Sequence, residues 1–258
     1  MTRRTDITPL VLTYNEEANI GRTLARLTWA PRVVVVDSFS TDMTAAICRD
    51  HPNVEVVQRA FDDHTAQWNF GLQQIHSDWV LSLDADYVLS EALVAELGRW
   101  QPSSGVDGYF ASFDYCVFGR PLRASLYPAR VVLFRSGRAT YVVDGHTQRL
   151  RLAGATAALG GRIQHDDRKP VDRWLADQVR YSRLEARHLL EARAGDLGRA
   201  DRLRQGIVWM PALVGVYALV ARGLALDGWA GFSYALQRVI AEALLSLRLL
   251  DERLRRGA

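Results

Sequence analysis

Apolar and polar positions come in alternating blocks along the first half of the chain. ITPLVLTY (residues 7–14) is a β-rich run, and NEEANIGRTLARL follows with Ile20, Leu24 and Leu27 at helical spacing behind Asn15, read here as the helix cap. RVVVVDS is apolar on both faces, the pattern of a central parallel strand. STDMTAAICRDH predicts a second helix with Ser and Thr available for its N-cap. NVEVVQRA predicts a third strand, DHTAQWNFGLQQIH a third helix and DWVLSLDADYVL a fourth strand. Strands alternating with helices of this length predict an α/β layered fold, its sheet mixed but mostly parallel and flanked by helices.

After residue 105 the order is less regular. GYFASFDYCVFG, ARVVLFRSG and ATYVVDGHTQRL are expected as antiparallel strands added to the same sheet, and GATAALGGRIQ is strand-like. From Pro170 onward the pattern is helical, which divides the chain into a domain over 1–169 and a helical extension over 170–258. RWLADQVRYSRLEARHLLEAR, with Leu175, Val179, Leu184 and Leu189 among many charges, reads as an amphipathic helix. No internal repeat and no low-complexity segment interrupts this organisation.

Composition adds two things. With 258 residues, 48% of them apolar, the chain can bury a full core. Charge is nearly balanced overall but unevenly spread: residues 1–161 hold 15 basic and 17 acidic side chains, residues 162–258 hold 17 and 12. The basic C-terminal part is the one suited to an anionic surface. Aromatic and basic residues do not interleave as in a nucleic-acid groove, so no nucleic-acid partner is expected. Cys48 and Cys116, far apart in apolar contexts, read as buried free thiols in a reducing compartment. MTRRTDITPLVL has no apolar stretch of signal-peptide length, and a cytoplasmic location is expected.

Ligands of open parallel sheets bind beyond the carboxyl ends of the strands. Those ends carry Thr13-Tyr14-Asn15-Glu16, Asp37-Ser38 and Asp84-Ala85-Asp86, all on one edge. Neither G-x-G-x-x-G nor G-x-x-x-x-G-K-[ST] is present, which excludes the glycine-rich and lysine phosphate cradles. A divalent cation, Mg²⁺ or Mn²⁺, held by carboxylates would neutralise a phosphate ligand instead, and is the favoured reading. Taken singly, Asp84 and Asp86 could cap a loop, Asp37 could cap the helix after SFSTD, Tyr14 could be a core aromatic and Asn69 could cap a turn.

Four motifs in order, LTYNEEANIGRTL, VVVVDSFSTDMT, QWNFGL and WVLSLDADYVL, resemble those of family 2 glycosyltransferases, which have the GT-A (Rossmann-like) fold. More narrowly, the chain resembles small bacterial cell-envelope members such as the lipopolysaccharide core glucosyltransferases. The resemblance implies that Thr13, Tyr14, Asn15 and Glu16 surround the nucleoside of a nucleotide-sugar, and that Asp37 accepts a hydrogen bond from the base, commonly uracil. It places Asn69 near ribose and diphosphate, Asp84 and Ala85 at ribose, and Asp86 on the metal, with His165 of HDDRK as a second metal ligand. Trp68 departs from the pattern, standing where a basic residue is common. Inversion by single displacement needs a base, and YVVDGHTQRL offers Asp144 first and His146 second, Thr147 standing where relatives carry Glu; Asp166 and Asp167 are further candidates.

The implied protein is an inverting, metal-dependent enzyme that moves a sugar from a nucleotide donor, UDP-sugar above others, to a glycan or glycolipid hydroxyl. Its location is peripheral, on the inner face of the bacterial plasma membrane. GIVWMPALVGVYALVA (206–221) is too short to span a bilayer and is interrupted by Pro211 and Gly215. Helices lying in the interface are expected there, with Trp209, Trp229, Phe232 and Tyr234 at headgroup level and arginines on anionic lipid. A buried hairpin or an oligomer interface is the alternative for this segment. For function, the alternatives are a nucleotidyltransferase that makes nucleotide-sugars and a degenerate, non-catalytic scaffold.

Overall fold

The computed structural model describes residues 6–124, 126–144, 147–192, 198–204, 207 and 209–257. They form two compact units, one of residues 1–119 and 126–168, the other of residues 120–125 and 169–258.

The first unit is built on the parallel strands β1 (Ile7–Thr13), β2 (Val33–Asp37), β3 (Val54–Gln58) and β4 (Trp79–Asp84). Between them run α1 (Ile20–Ala25), α2 (Thr44–Arg49) and α3 (His64–Gln73), and α4 (Glu91–Arg99) comes after β5 (Tyr87–Leu89). The later strands are β6 (Val106–Val117), β8 (Arg130–Arg135), β9 (Ala139–Asp144), β10 (Thr147–Leu152) and β11 (Ala155–His165); the two-residue β7 (Arg120–Pro121) belongs to the second unit. The sheet runs in the order β3-β2-β1-β4-β8-β6-β11-β5. β8 is antiparallel to both β4 and β6, while β11 is parallel to β6 and antiparallel to β5. The sheet is therefore mixed and mostly parallel on its N-terminal side, as expected.

Period-two alternation divides each central strand between two apolar layers. Val33 and Val35 pack with Leu24, Leu27, Trp79 and Leu81, whereas Val34 and Val36 pack with Leu10, Trp68, Val80 and Phe134. Burying each such side chain stabilises the fold by about 1.5–3 kcal/mol. Cys48 and Cys116 are buried free thiols, and burial pushes them up to about 12 and about 11.

Four local expectations need correction. Asn15 is no helix cap: it sits in the left-handed region at φ 53, and α1 begins only at Ile20. The Ser and Thr ahead of α2 do not cap it; the Asp42 carboxylate accepts from Thr44 N–H at 2.9 Å. The run read as a fourth strand breaks after Asp84, and β5 crosses to the far edge of the sheet beside β11. ATYVVDGHTQRL does not extend the main sheet, because β9 and β10 pair only with each other as a separate antiparallel hairpin.

The second unit is helical. α5 (Val171–Glu191) packs on α8 (Trp229–Gly257) through Ala186, Leu189, Leu245 and Leu249. Leu175, Val179 and Leu184, expected on the packing face of α5, are exposed instead. α6 (Arg199–Arg204) carries Arg204 between the buried Glu185 and Glu242, each 3.0 Å away, so these charges are paired within the unit. α7 (Met210–Val216) continues as a π turn over Tyr217–Ala221 and is followed by a 3-10 turn, Leu224–Asp227. No helix among the described residues is long and apolar enough to cross a membrane.

Candidate functional site

The loops that follow β1 and β2 are laced together. Asn15 N–H donates to Ser40 Oγ at 2.9 Å, Thr41 N–H donates to Asn15 Oδ1 at 2.8 Å, and Glu16 N–H donates to Thr44 Oγ1 at 2.7 Å. These bonds account for the left-handed turn at Asn15, a conformation that asparagine tolerates better than most residues. Thr13 and Asp37 pair across β1 and β2 at the sheet edge. Asp37 is fully buried, and its carboxylate accepts from the Ser40 backbone and hydroxyl and from Gln58 Nε2 at 3.2 Å. Its bonds to Ser40 are those of a local loop cap, yet the group stands in line with the other acids. Thr13 Oγ1 is buried without a hydrogen-bond partner among the described residues, whereas Tyr14 is exposed.

Beyond β4 the chain turns at Asp84-Ala85-Asp86, and Thr23 Oγ1 of α1 holds the turn by donating to Ala85 O at 2.7 Å. Burial and then the charge of Asp86 raise the Asp84 carboxyl above its usual range, as expected when two acids share a dry site. β11 delivers His165 to the same point, with Nε2 at 3.1 Å from Asp86 Oδ2. Burial pulls the imidazolium pKa down, but Asp86 together with Asp84 and Asp167 offsets it and the net shift is upward. Around His165 stand the rings of Tyr127, Tyr115 and Tyr87, with centroids 4.6, 4.9 and 5.3 Å from the imidazole. The Tyr87 and Tyr127 hydroxyls bond to one another, and burial pushes both phenol pKa values upward.

Next to His165, Asp166 is buried and accepts from Arg22 and Arg168 at 2.8 Å each and from Gly119 N–H at 3.0 Å. A carboxylate with these cations on it is a charge-balancing anchor and not a base. Asp167 accepts from Asn19 Nδ2 at 2.9 Å, and Asn19 also accepts from Arg22 and from Arg168 N–H. Neither the tyrosine enclosure nor this anchor stands out in sequence spacing, because β5, β6, β11, α1 and the segment before β8 come together only in the fold. The three-residue spacing of Asn19, the residue before α1, and Arg22 on its first turn is the signal that could have pointed to this anchor.

Asn69 lies under the β9–β10 hairpin. Its Nδ2 donates to Tyr141 O and its Oδ1 accepts from Tyr141 N–H, both at 2.9 Å, so the amide docks the hairpin to α3. Trp68 is buried and stacks on Tyr141 with ring centroids 5.1 Å apart, which explains the departure from a basic residue there. Asp144 ends β9 opposite Thr147, although its side chain is outside the described residues, as is His146 altogether.

The model of the family described as glycosyl transferase family 2 matches residues 10–147, more than half of the chain. The chain belongs to this family. It is 23% identical over 252 residues to the lipopolysaccharide core biosynthesis glycosyltransferase LpsC of Rhizobium meliloti (strain 1021), covering 94% of this chain and 91% of that protein. An uncharacterized glycosyltransferase of Rickettsia bellii (strain RML369-C) is 34% identical over 106 residues, 41% of this chain and 36% of the relative. Among solved structures, S. aureus TarS 1–349 in complex with UDP-GlcNAc superposes with a TM-score of 0.50 at 16% identity, over 98% of this chain and 92% of that one. The last comparison bears on the fold, which is of the GT-A type.

The glycosyltransferase edge is acidic, and its donor atoms suit a divalent cation. Asp86 offers carboxylate oxygen, His165 offers imidazole, and His165 Nδ1 is buried with no hydrogen-bond partner among the described residues. Among those residues no cluster of three or more His, Cys, Asp or Glu side chains is assembled for a metal. Two protein donors leave the remaining positions of a cation to oxygens of a phosphate ligand and water, the usual state of Mg²⁺ at substrate sites, and imidazole tilts the choice toward Mn²⁺.

Proposed function

We propose that this family 2 enzyme is an inverting, Mn²⁺- or Mg²⁺-dependent glycosyltransferase using a UDP-sugar and a hydroxyl of a cell-envelope glycan or glycolipid. The observation that carries the reading is the 3.1 Å approach of His165 to Asp86 beside Asp84, on the sheet edge that also holds Asp37. The lipopolysaccharide-core role named for the Rhizobium relative and the UDP-GlcNAc named with TarS favour the acceptor and donor classes.

In this reading Thr13, Tyr14, Asn15 and Glu16 border the nucleoside, Asp37 accepts from the base, Asp84 and Ala85 face the ribose, and Asn69 keeps the diphosphate side in shape. Asp86 and His165 would hold the cation, which supplies positive charge to the departing diphosphate. Asp144, or failing it His146, takes the acceptor proton as the hydroxyl oxygen bonds to the anomeric carbon. The bond from that carbon to the diphosphate oxygen breaks on the opposite face, and the nucleoside diphosphate leaves with the electron pair. Residues 1–169 form the catalytic domain. Residues 170–258 meet the anionic inner face of the plasma membrane, where a lipid-linked acceptor resides.

Thermal unfolding with UDP, with and without Mn²⁺, tests the reading, since a ligand of the folded state raises its stability. UDP is expected to raise Tm more with Mn²⁺ than without, and Asp86→Ala is expected to abolish the difference. Asp144→Asn should keep the shift and lose turnover by roughly a hundredfold or more. An unchanged Mn²⁺ effect in Asp86→Ala would remove Asp86 from the metal site.

A further inference from the structure

The proposed donor brings a diphosphate to an edge already lined by carboxylates. With Asp86 and the diphosphate ionised, roughly three negative charges face the two positive charges of one divalent cation. Another cation is required, and most arginines of this region are committed elsewhere. Arg22 and Arg168 pair with Asp166 at 2.8 Å each, Arg59 holds Asp62 at 2.7 Å, and Arg162 holds Asp114 at 2.7 Å. On α3, the position next to Asn69 is the buried Trp68, which contributes no charge.

Arg130 differs from these. It opens β8, whose antiparallel register with β4 pairs Leu133 with Leu81, and Ser82 Oγ donates to Val132 O at 3.3 Å. That register carries Arg130 toward the Asp84 end of β4. Among the described residues it makes no ion pair; its guanidinium lies over the Tyr127 ring, 4.8 Å from the centroid. The same ring packs against His165, and its hydroxyl bonds to Tyr87. A guanidinium resting over an aromatic ring still has N–H donors to offer an oxyanion, as a phosphate pair requires.

We propose that Arg130, seated on Tyr127, binds the diphosphate of the nucleotide-sugar and of the nucleoside diphosphate that leaves. This rests on the donor reading above, and the test separates the two. Calorimetric titrations of UDP and of uridine, both with Mn²⁺, are compared for wild type, Arg130→Gln and Arg130→Lys. Arg130→Gln is expected to weaken UDP binding about tenfold or more, flatten its salt dependence and leave uridine affinity unchanged, with Arg130→Lys in between. Equal UDP affinity in wild type and Arg130→Gln overturns the proposal and leaves the donor reading standing. Parallel losses for UDP and uridine in both substitutions mark Arg130 as structural and also overturn it. Wild-type protein that binds neither ligand overturns the donor reading and the proposal together.

Discussion

At the scale of single residues, His165 ties the pH behaviour of the site to its metal chemistry. Burial lowers its pKa in the folded state, but Asp86 together with Asp84 and Asp167 raises it by more. A raised pKa stabilises the fold fully below the ordinary imidazole value of 6.5, and that contribution is lost as pH rises through the folded value. Metal-free protein should therefore lose Tm from this source above pH 6.5, and His165→Gln should remove that part of the slope. A cation competes with the proton for the imidazole, so stabilisation by Mn²⁺ should grow over the same range. Tm against pH, with and without Mn²⁺, reads both effects; identical slopes in wild type and His165→Gln would refute the coupling. The acids of this site were legible as a D-x-D at a strand end, and His165 as a late histidine beside acids. Tyr115 and Tyr127 were not, since nothing local in the sequence relates them to a histidine tens of residues away.

At the scale of elements, β11 must be seated well for His165 to reach Asp86. It docks on α4 through the Glu96 carboxylate, which accepts from Gly160 N–H at 3.0 Å and Gly161 N–H at 2.8 Å. A Cβ on Gly161 would come within 2.6 Å of Leu93 N and nearer still to Leu93 Cα and Cβ, so the α4 backbone leaves no room. On Gly160 a Cβ would meet nothing closer than Glu96 Oε2 at 3.6 Å. Gly161→Ala is thus expected to cost about 1–3 kcal/mol in urea unfolding, and Gly160→Ala within about 0.5 kcal/mol of wild type. Similar costs at both positions would show that β11 is not held by this contact. The parallel strands were readable from their apolar runs. The crossing of β5 was not, because WVLSLDADYVL looks like one strand until the D-x-D turn redirects it.

At the scale of the whole molecule, the second unit leaves an apolar face uncovered. Trp209 is 77% exposed and Val220 74%, and Leu213, Val216, Leu226, Trp229, Phe232 and Leu236 are exposed with them. Tyr234, expected at headgroup level, is instead buried at 4% exposure. From residue 202 to 241 the single acid is Asp227, which is buried on Arg123 at 2.9 Å, so exposed charge in this stretch is cationic. Aromatic and aliphatic side chains edged by arginine suit the interface of an anionic bilayer. The protein is expected to float with vesicles containing anionic lipid more than with neutral ones, and Trp209→Glu with Val220→Glu to reduce this strongly. Recovery wholly in the unbound fraction with both vesicle types would count against membrane docking.

Some of this was settled along the chain itself. Apolar periodicity set the order of β1 to α3 and the helical character of the C-terminal part, because both depend on which face each residue can bury. Strand ends carrying Asp37, Asp84 and Asp86 marked the functional edge, because ligands of parallel sheets meet the carboxyl ends. Strand order, the redirected β5, the detached β9–β10 hairpin and the gathering of Tyr127 and Arg130 beside Asp86 and His165 were decided only in three dimensions. These depend on pairing between segments far apart in sequence, and hydrogen-bonded neighbours in a sheet leave no signature in the spacing of either strand alone.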